Sequence, residues 1–251
     1  MNSKPLILVT NDDGIDAPGI KVLTELMAEI GEVVVFAPAF PQSGQSNALT
    51  VTAPIRFNKV DECENLARYS CTGTPTDCVK LALNEILNGR KPDLLVSGIN
   101  HGSNSAINVI YSGTMGASLE GCAGGIPSIG FSICDHSWNV DFENFKPFVL
   151  KIAKMVLENG LPERVCLNVN APVGEIKGMK TVRQCKGFWT KEFEKREDPR
   201  GVGDYFWLTG CFHNQEPEAT DTDECALANG YISIVPTRVD MTDYESLNMQ
   251  F

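Results

Sequence analysis

Residues 6–14, LILVTNDDG, decide the fold, because a short apolar run passes directly into two adjacent carboxylates and a glycine. A run of branched apolar residues that ends in turn residues predicts a buried strand of a parallel sheet. Asp12 and Asp13 then lie at the carboxyl end of that strand, where ligands bind in open α/β sheets. The two carboxylates repel each other and lose solvation there, a cost that a divalent cation removes. The alternative is that residues 11–14 form only a turn, since Asn, Asp and Gly are preferred in turns.

The composition is that of a folded protein long enough to bury a sizeable core, with 251 residues, 43% of them hydrophobic and 21% charged. A formal net charge of −11 argues against binding to nucleic-acid duplexes, which needs clustered Lys and Arg. A small anionic substrate is compatible with this charge where a metal ion or a helix N-terminus supplies a local positive field.

Neither a membrane nor an oxidising compartment is expected. The sequence opens without an apolar segment and cleavage site, and it has no run of about 18 apolar residues, so we expect a cytoplasmic protein that does not bind membranes. The nine cysteines form no C-x-x-C pair and no Cys/His cluster at zinc spacing. We expect them to be reduced and to act mostly as packing residues.

A helix and a second strand follow the acidic turn. Apolar residues spaced three and four apart, with Pro18 near the first turn, predict an amphipathic helix that ends at Gly31. Residues 32–38, EVVVFAP, predict a buried strand, which makes the opening a βαβ unit with a right-handed crossover. The glycines do not fit G-x-G-x-x-G, so a dinucleotide site is not expected.

Residues 39–50, AFPQSGQSNALT, predict a polar loop at the same sheet edge as the two acids. This placement brings Ser43, Ser46 and Asn47 within reach of the carboxylates, although an ordinary polar loop has the same composition.

A hairpin and a helix are predicted next. Residues 51–57 and 67–71 are expected to form two short strands that flank the main sheet. Thr74 is the expected N-cap, and Pro75 the first residue, of a helix that ends at Gly89.

A second strand end offers a further oxygen ligand. Residues 93–99 predict a buried strand that runs directly into Asn100 and a turn that contains glycine. Because hard cations bind carboxamide oxygens, Asn100 is a candidate ligand. His101 has no partnering Cys or His nearby, so we expect it to be structural or to contact substrate rather than to bind metal.

Residues 111–116, YSGTMG, lead into a predicted helix whose first turn consists of small residues. Glycines and hydroxyls at a helix N-terminus let backbone N–H groups approach an anion, and the helix dipole favours negative charge. This turn is therefore a candidate phosphate cradle, with plain N-capping as the alternative.

The remaining core elements predict a doubly wound α/β fold. Strands at residues 126–132 and 165–170, with an amphipathic helix at 141–159, complete a parallel sheet of about six strands with helices on both faces. A final strand is expected at residues 230–236.

The C-terminal third differs in character from the core. Residues 172–220 carry charges, aromatics and glycines with little helical periodicity, which predicts extended strands or a long hairpin that projects for subunit contact. The acidic stretch 216–224 is expected to be a solvated loop before a short helix. We expect one domain over residues 1–251, with its core at about 1–171 and 225–240.

Together, the predicted strand ends favour metal-assisted phosphoryl transfer or hydrolysis. The two acids, Ser43 and Asn100 offer hard oxygen ligands, and the turn at residues 112–116 offers an anion site.

Four motifs in this order, LVTNDDGIDAPGI, SGQSNALT, SGINHGSN and YSGTMGASLEG, resemble the SurE family of stationary-phase survival proteins, which act as metal-dependent nucleotidases. The motifs cover roughly residues 6–135. The resemblance implies a Rossmann-like core, one divalent ion such as Mg²⁺ or Mn²⁺ per subunit, and hydrolysis of nucleoside 5′- and 3′-monophosphates. It also implies a homodimer or homotetramer paired through an exchanged C-terminal arm.

The resemblance assigns roles to individual residues. It implies metal binding by Asp12, Asp13, Ser43 and Asn100, with catalysis by Asp12, Asp13 and Asn100. The bound cation would polarise a phosphoryl oxygen and lower the pKa of the attacking water, while backbone amides would stabilise the developing charge. No histidine general acid is specified. The implied phosphate-binding and neighbouring residues are Asn11, Ser46, Asn47, Ser112, Gly113 and Thr114.

Two departures and two alternative functions accompany this hypothesis. Ala106 and Asn108 stand where many relatives have Gly and Asp; these departures leave the implied metal ligands intact, and we expect any effect of them to be on loop shape or substrate preference. A receiver-like switch also places paired acids after its first strand, to bind Mg²⁺ beside an aspartate that becomes phosphorylated. Two observations argue against such a switch: the corresponding strand end, residues 97–100, has no acceptor Asp, and the chain is about twice the length of one small domain. A nucleotide-binding or assembly role without catalysis is the other alternative.

Overall fold

A nine-stranded sheet forms the body of the protein in a computed structural model that describes residues 4–249. The strands within these residues are, in chain order, β1 (Leu6–Thr10), β2 (Glu32–Pro38), β3 (Phe57–Cys63), β4 (Leu66–Cys71), β5 (Leu94–His101), β6 (Ser128–Ile133), β7 (Val165–Ala171), β8 (Gly178–Thr181), β9 (Gly187–Thr190), β10 (Phe193–Glu197), β11 (Asp204–Leu208), β12 (Cys211–Asn214) and β13 (Tyr231–Arg238). The α-helices are α1 (Pro18–Ala28), α2 (Pro75–Leu81), α3 (Gly113–Ala123), α4 (Lys146–Asn159) and α5 (Asp223–Ala228). A π-helical turn, Ala82–Ile86, extends α2, and 3₁₀ turns cover Ala106–Ile110 and Tyr244–Asn248.

The strand order of the central sheet is β3-β4-β2-β1-β5-β6-β7-β13-β8. β1 pairs in parallel with β2 and β5, so that Leu8 lies opposite both Val34 and Leu95. β3 runs antiparallel to β4, and β13 antiparallel to β7, so the sheet is mainly parallel, as predicted. The chain adds strands first on one side of β1 and then on the other. This reversal creates a crevice at the carboxyl ends of β1 and β5.

Helices cover both faces of the sheet. Because successive side chains of a strand point to opposite faces, Ile7 and Val9 pack in a core with α1 and α4, whereas Leu6 and Leu8 pack in a second core with α2. The buried β1 run therefore reads as continuously apolar in the sequence. In residues 4–249 no helix is both long enough and apolar enough to cross a membrane.

The structure confirms the predicted opening unit and the two helix starts that matter for the site. β2 has the predicted bounds, and α1 begins at Pro18 as predicted. Thr74 caps α2 by accepting a hydrogen bond from the Asp77 N–H, while the Asp77 carboxylate accepts one from the Thr74 N–H. α3 begins directly after Ser112, whose hydroxyl accepts a hydrogen bond from the Met115 N–H.

Two predicted element bounds and the predicted number of strands are wrong. Residues 51–56 form no strand, and the predicted hairpin instead pairs β3 with β4. β3 is a largely exposed edge strand without apolar alternation, so the sequence pattern did not reveal it. The helix predicted for residues 141–159 begins only at Lys146, because Pro147 occupies its first turn, although Phe142 and Phe145 before it are buried. The sheet has nine strands rather than about six, since both its edges carry short or polar strands.

The segment 172–220 is mostly extended, as predicted. Its first strand, β8, joins the central sheet in parallel with β13. β9 pairs with β12, and β10 pairs with β11 between them, which gives two consecutive stretches of one long hairpin. We call residues 187–214 the arm. The acidic stretch 216–224 does lead into a short helix, α5, as predicted.

Candidate functional site

The carboxyl ends of β1 and β5 open into a cavity of about 1200 Å³. Of the ten residues to which the sequence assigns metal, catalytic or phosphate roles, five line this cavity, namely Asp12, Asp13, Ser43, Asn100 and Ser112. The other five, Asn11, Ser46, Asn47, Gly113 and Thr114, do not line it. These five contact the cavity residues or their loops instead, as described below.

Asp12 is a buried carboxylate with a single side-chain donor. Its Oδ1 accepts a hydrogen bond of 2.5 Å from the Thr114 hydroxyl in the first turn of α3. Its backbone carbonyl accepts the Gln42 N–H at 2.7 Å, which ties the acidic turn to the loop that carries Ser43. Burial, with the neighbouring Asp13 charge as a second cause, raises the pKa of Asp12 to about 6. The site therefore destabilises this carboxylate until a cation approaches it.

Asp13 is half-buried and belongs to the same electrostatic unit. Its Oδ2 accepts a hydrogen bond of 3.2 Å from the His101 N–H at the end of β5. Burial raises the pKa of Asp13, while this hydrogen bond and the nearby His101 and His136 rings act in the opposite direction. The two acids are thus fixed from two directions, Asp12 by α3 and Asp13 by β5.

The raised pKa of Asp12 predicts that the metal-free protein loses stability as pH increases. The ordinary value is 3.8 and the folded value about 6, so the folded state binds more protons than the unfolded state between these two values. Stability from this group is fully present below about pH 4 and is lost as pH rises through 6, by up to about 3 kcal/mol. Chemical denaturation in the presence of a chelator measures this change.

Asp12→Asn is the matched control for the pH experiment, because it removes the titrating group at nearly constant volume. The stability difference between wild type and Asp12→Asn should shift in favour of the variant as pH rises from about 4 to 7. A difference that is independent of pH would contradict the burial argument.

Asn100 lies within β5 rather than in a turn after it, since the strand extends to His101. The pairing of β5 with β6 shifts register between Ser97 and Asn100. Gly98 makes this shift possible: it has a φ of +128°, and a Cβ there would lie 2.2 Å from the Phe131 carbonyl oxygen. The Asn100 carboxamide donates its N–H to the Gly102 carbonyl at 2.8 Å, which leaves its oxygen available to a ligand.

Asn11 contributes an unsatisfied oxygen beneath the site. The residue is fully buried, and its Nδ2 donates to the Gly14 carbonyl at 2.9 Å. Its Oδ1 is buried and has no hydrogen-bond partner among residues 4–249. A buried carbonyl oxygen without a partner is costly, and it adds to the surplus of acceptor oxygens at this strand end.

Ser46 and Asn47 attach the loop at residues 39–50 to α3 and to the turn that precedes it. The Ser46 N–H and hydroxyl donate to the carbonyls of Tyr111 and Ile110, at 3.1 and 2.7 Å, and Asn47 donates to the Gly116 carbonyl at 3.2 Å. A Cβ on Gly116 would lie 2.1 Å from the Ser46 carbonyl oxygen, so only glycine allows this approach. These contacts hold the loop on which Ser43 lines the cavity.

The predicted cradle at residues 112–116 is the N-terminus of an eleven-residue helix. Its first N–H groups have no partner within the helix, apart from the Met115 N–H that Ser112 caps. Gly113 lies against Asp12, because a Cβ on it would be 2.8 Å from the Asp12 Cβ. Anion-binding N–H groups and the buried acid are therefore adjacent, which suits a ligand that carries both an anion and a cation.

Much of the remaining cavity wall was not predicted from the sequence. Trp189 and Phe212 reach it from the arm, and the Trp189 indole N–H donates to the Asn108 carboxamide oxygen at 2.8 Å. Glu224 lines it from α5 and accepts a hydrogen bond from the Ser105 hydroxyl. No local sequence signal links these residues to the strand ends, because the contacts depend on where the arm and α5 lie.

Ala106 holds the loop after β5 in a backbone conformation that suits glycine. It is fully buried and has a φ of +49°. Glycine adopts this left-handed conformation freely, whereas for most residues with a side chain, alanine included, it costs about 1–2 kcal/mol. Its N–H donates to the buried Asp223 carboxylate at 2.8 Å. The loop thus keeps a conformation that suits glycine although the residue is alanine.

The donor set is acidic but small. The described residues hold no group of three or more His, Cys, Asp and Glu side chains placed to bind a metal. Two carboxylates, one carboxamide oxygen and one hydroxyl oxygen are nevertheless the hard oxygen donors that suit a Mg²⁺-like ion, which keeps several waters. The residues present fit such an ion.

Comparisons with known proteins agree with this architecture. The family model described as "Survival protein SurE" matches residues 7–191. The chain is 57% identical to "5'-nucleotidase SurE" of Flavobacterium psychrophilum, over 98% of this chain and 96% of that protein, and 54% identical to the protein of the same name from Bacteroides fragilis, over 98% and 96%. The crystal structure of the SurE protein from Aquifex aeolicus superimposes with a TM-score of 0.83 at 39% identity, covering 97% of both chains. Matches of this extent and identity, together with the shared fold, show that the chain belongs to the SurE family.

Proposed function

We propose that the chain is a metal-dependent 5′-nucleotidase that hydrolyses nucleoside monophosphates to a nucleoside and inorganic phosphate. The names of the relatives support this activity. The observation that carries it is the pair of carboxylates, Asp12 and Asp13, at the strand end directly beside the N-terminus of α3. We further propose that the same site hydrolyses nucleoside 3′-monophosphates.

Asp12, Asp13, Ser43 and Asn100 would hold one divalent cation, for which Mg²⁺ and Mn²⁺ fit the oxygen donors. When bound, the cation supplies a Lewis acid for the phosphoryl group and lowers the pKa of a water. The Thr114 hydroxyl fixes the Asp12 carboxylate, and the His101 N–H fixes that of Asp13. Each acid is therefore oriented before substrate arrives, which avoids a reorganisation cost during the reaction.

The phosphate is proposed to bind at the N-terminus of α3. Backbone N–H groups of Gly113 and Thr114 would donate to its non-bridging oxygens and stabilise the charge that develops during the reaction. The Ser112 N–H, which the sequence placed in the same cradle, instead donates to the Asn108 carbonyl at 3.1 Å. Asn11, Ser46 and Asn47 would support the site without contacting the phosphate, because their amide or hydroxyl donors already bond to backbone carbonyls. The leaving alkoxide would take its proton from water, since the proposal assigns no histidine to that step.

The nucleoside is proposed to occupy the apolar end of the cavity. A volume of about 1200 Å³ far exceeds what a phosphate needs, and the lining includes the apolar residues Val173, Trp189, Phe212 and Leu227. The hydrogen bond from Trp189 to Asn108 holds the indole in place at this wall. A nucleobase stacks well on a fixed aromatic ring.

Trp189→Ala should raise KM for a nucleoside 5′-monophosphate about tenfold, because base–aromatic stacking contributes about 1–3 kcal/mol. The KM for ribose 5-phosphate, which has no base, should change less than twofold. Tyr244→Ala is the control, since Tyr244 is an exposed aromatic residue outside the arm that does not line the cavity. Equal changes in KM for the two substrates would place the base elsewhere.

Release of free phosphate tests the proposed function directly. The purified protein with Mn²⁺ should release phosphate catalytically from nucleoside 5′-monophosphates, and excess chelator should stop the reaction. Parallel assays with nucleoside 3′-monophosphates test whether the same site also hydrolyses these substrates. Stoichiometric or absent release would favour a binding protein or a switch.

We also propose that the arm pairs subunits into a homodimer or homotetramer. The support is its exposed apolar surface, on which Phe193, Phe206, Trp207 and Leu208 are each 59–72% exposed. Monomeric proteins rarely expose clustered aromatics of this kind. A monomeric mass in light scattering would contradict this assembly.

Cytoplasmic localisation is the last part of the proposal. All nine cysteines are free in the structure, as is usual in reducing compartments. Cell fractionation that recovers the protein outside the cytoplasm would contradict it.

A further inference from the structure

Two buried carboxamides lie on β7 behind the candidate site. Asn168 and Asn170 are 2% and 0% exposed, and neither lines the cavity. Their spacing places them on one face of the strand, while Val169 between them packs in the hydrophobic core on the other face. Burying a carboxamide costs free energy unless its groups are hydrogen-bonded, so two of them on one strand need partners.

Both carboxamides bind the backbone of Asn104. The Asn104 N–H donates to the Asn170 Oδ1 at 2.8 Å, and the Asn168 Nδ2 donates to the Asn104 carbonyl at 2.8 Å. The Asn170 Nδ2 completes the set by donating to the Asn168 Oδ1 at 2.9 Å. We call Asn104, Asn168 and Asn170 the asparagine ladder. The side chains of Asn168 and Asn170 on β7 thus bind both the N–H and the carbonyl of Asn104, which lies more than sixty residues earlier in the chain.

The loop held by the ladder is the one that follows Asn100. The Asn100 carboxamide donates to the Gly102 carbonyl, and the Gly102 N–H donates to the Ile133 carbonyl at 2.9 Å. The Asn104 side chain donates to the Ser132 hydroxyl at 2.8 Å on β6. The side chain of Asn100 is therefore bonded to a segment whose next turn is pinned to β6 and β7.

We propose that Asn168 and Asn170 are positioning residues, which act through Asn104 and Gly102 to hold the Asn100 carboxamide where it can bind the metal. This inference rests on the proposed function. A purely structural role would lower stability without a specific effect on the metal. Residues that orient metal ligands typically change metal affinity by about 10- to 100-fold when they are removed.

The test compares Mn²⁺ affinity by isothermal titration calorimetry in wild type, Asn168→Ala, Asn170→Ala and Val169→Ala, below the unfolding temperature of each. Val169→Ala is the matched control, because it removes buried volume from the same strand without touching Asn104. Asn168→Ala and Asn170→Ala should each weaken Mn²⁺ binding about tenfold or more. Val169→Ala should stay within about twofold of wild type at a comparable loss of stability.

Each outcome is decisive. Unchanged Mn²⁺ affinity in the folded ladder variants, or an equal loss in Val169→Ala, would overturn the positioning role while leaving the metal site intact. Wild type that binds no Mn²⁺ would overturn the proposed function, and this inference with it. If the ladder variants do not fold, Ser132→Ala, which removes only the hydroxyl partner of the Asn104 side chain, should weaken Mn²⁺ binding in the same direction, and an unchanged affinity would overturn the role.

Discussion

Replacing Asp12 with asparagine is expected to lower kcat for nucleoside monophosphates by about 100-fold or more, while the protein stays folded. Asparagine keeps an oxygen that can accept the hydrogen bond from the Thr114 hydroxyl, so the local geometry should survive. The change removes one of the two charges proposed to hold the cation, and metal-linked electrostatic stabilisation contributes effects of this size. The metal-free variant should also be more stable than wild type at neutral pH, because a buried and repelled carboxylate has been removed. Steady-state kinetics with Mn²⁺ and thermal unfolding measure the two effects.

Asp16→Asn is the control for this substitution. The substitution removes the same charge four residues away, at a side chain that is exposed and does not line the cavity. Its kcat should remain within about twofold of wild type. Full activity in Asp12→Asn would contradict the proposed metal site.

Gly116→Ala is expected to lower kcat/KM by about 100-fold, through the loop rather than through α3 itself. The new Cβ would lie 2.1 Å from the Ser46 carbonyl oxygen, so the loop must retreat from the helix. That movement would also stretch the hydrogen bonds of Ser46 and Asn47 to their carbonyl partners. Ser43, on the same loop, would then leave its place at the cavity. Displacements of about 1 Å at a reacting centre cost rates of this order.

Gly124→Ala, at the other end of the same helix, separates this effect from a general loss of helix stability. A Cβ there has its nearest neighbour at 3.3 Å, and the residue lies far from the Ser43 loop in sequence. Near-normal activity is expected for Gly124→Ala. If Gly116→Ala were equally active, the close approach of loop and helix would have no bearing on the site.

The strand ends of the core were predictable because parallel strands impose simple geometry. A buried parallel strand reads as a continuous apolar run, and neighbouring strands end at the same edge. Asp12 and Asn100 could therefore be placed together before the structure was known, and both line the cavity. The caps at Thr74 and Ser112 were predictable for a similar reason, since capping depends on local sequence.

The features that escaped prediction depend on long-range contacts or on exposed strands. β3 lacks apolar alternation because it lies at the edge of the sheet, where polar residues are tolerated. Trp189 meets Asn108 across 81 positions of sequence, and nothing local marks either as a partner. Asn168 and Asn170 lie in the strand predicted at residues 165–170, yet their partner Asn104 follows only from the order of the strands.

The most direct test of the central claim is a crystal structure of the protein with Mn²⁺, with anomalous data collected at the manganese absorption edge. One strong anomalous peak per chain is expected, at about 2 Å from oxygens of Asp12, Asp13, Ser43 and Asn100 and beside the N-terminus of α3. The same crystals of Asp12→Asn should show a weak peak or none. A manganese peak elsewhere in the wild-type protein, or no peak at saturating Mn²⁺, would contradict the account.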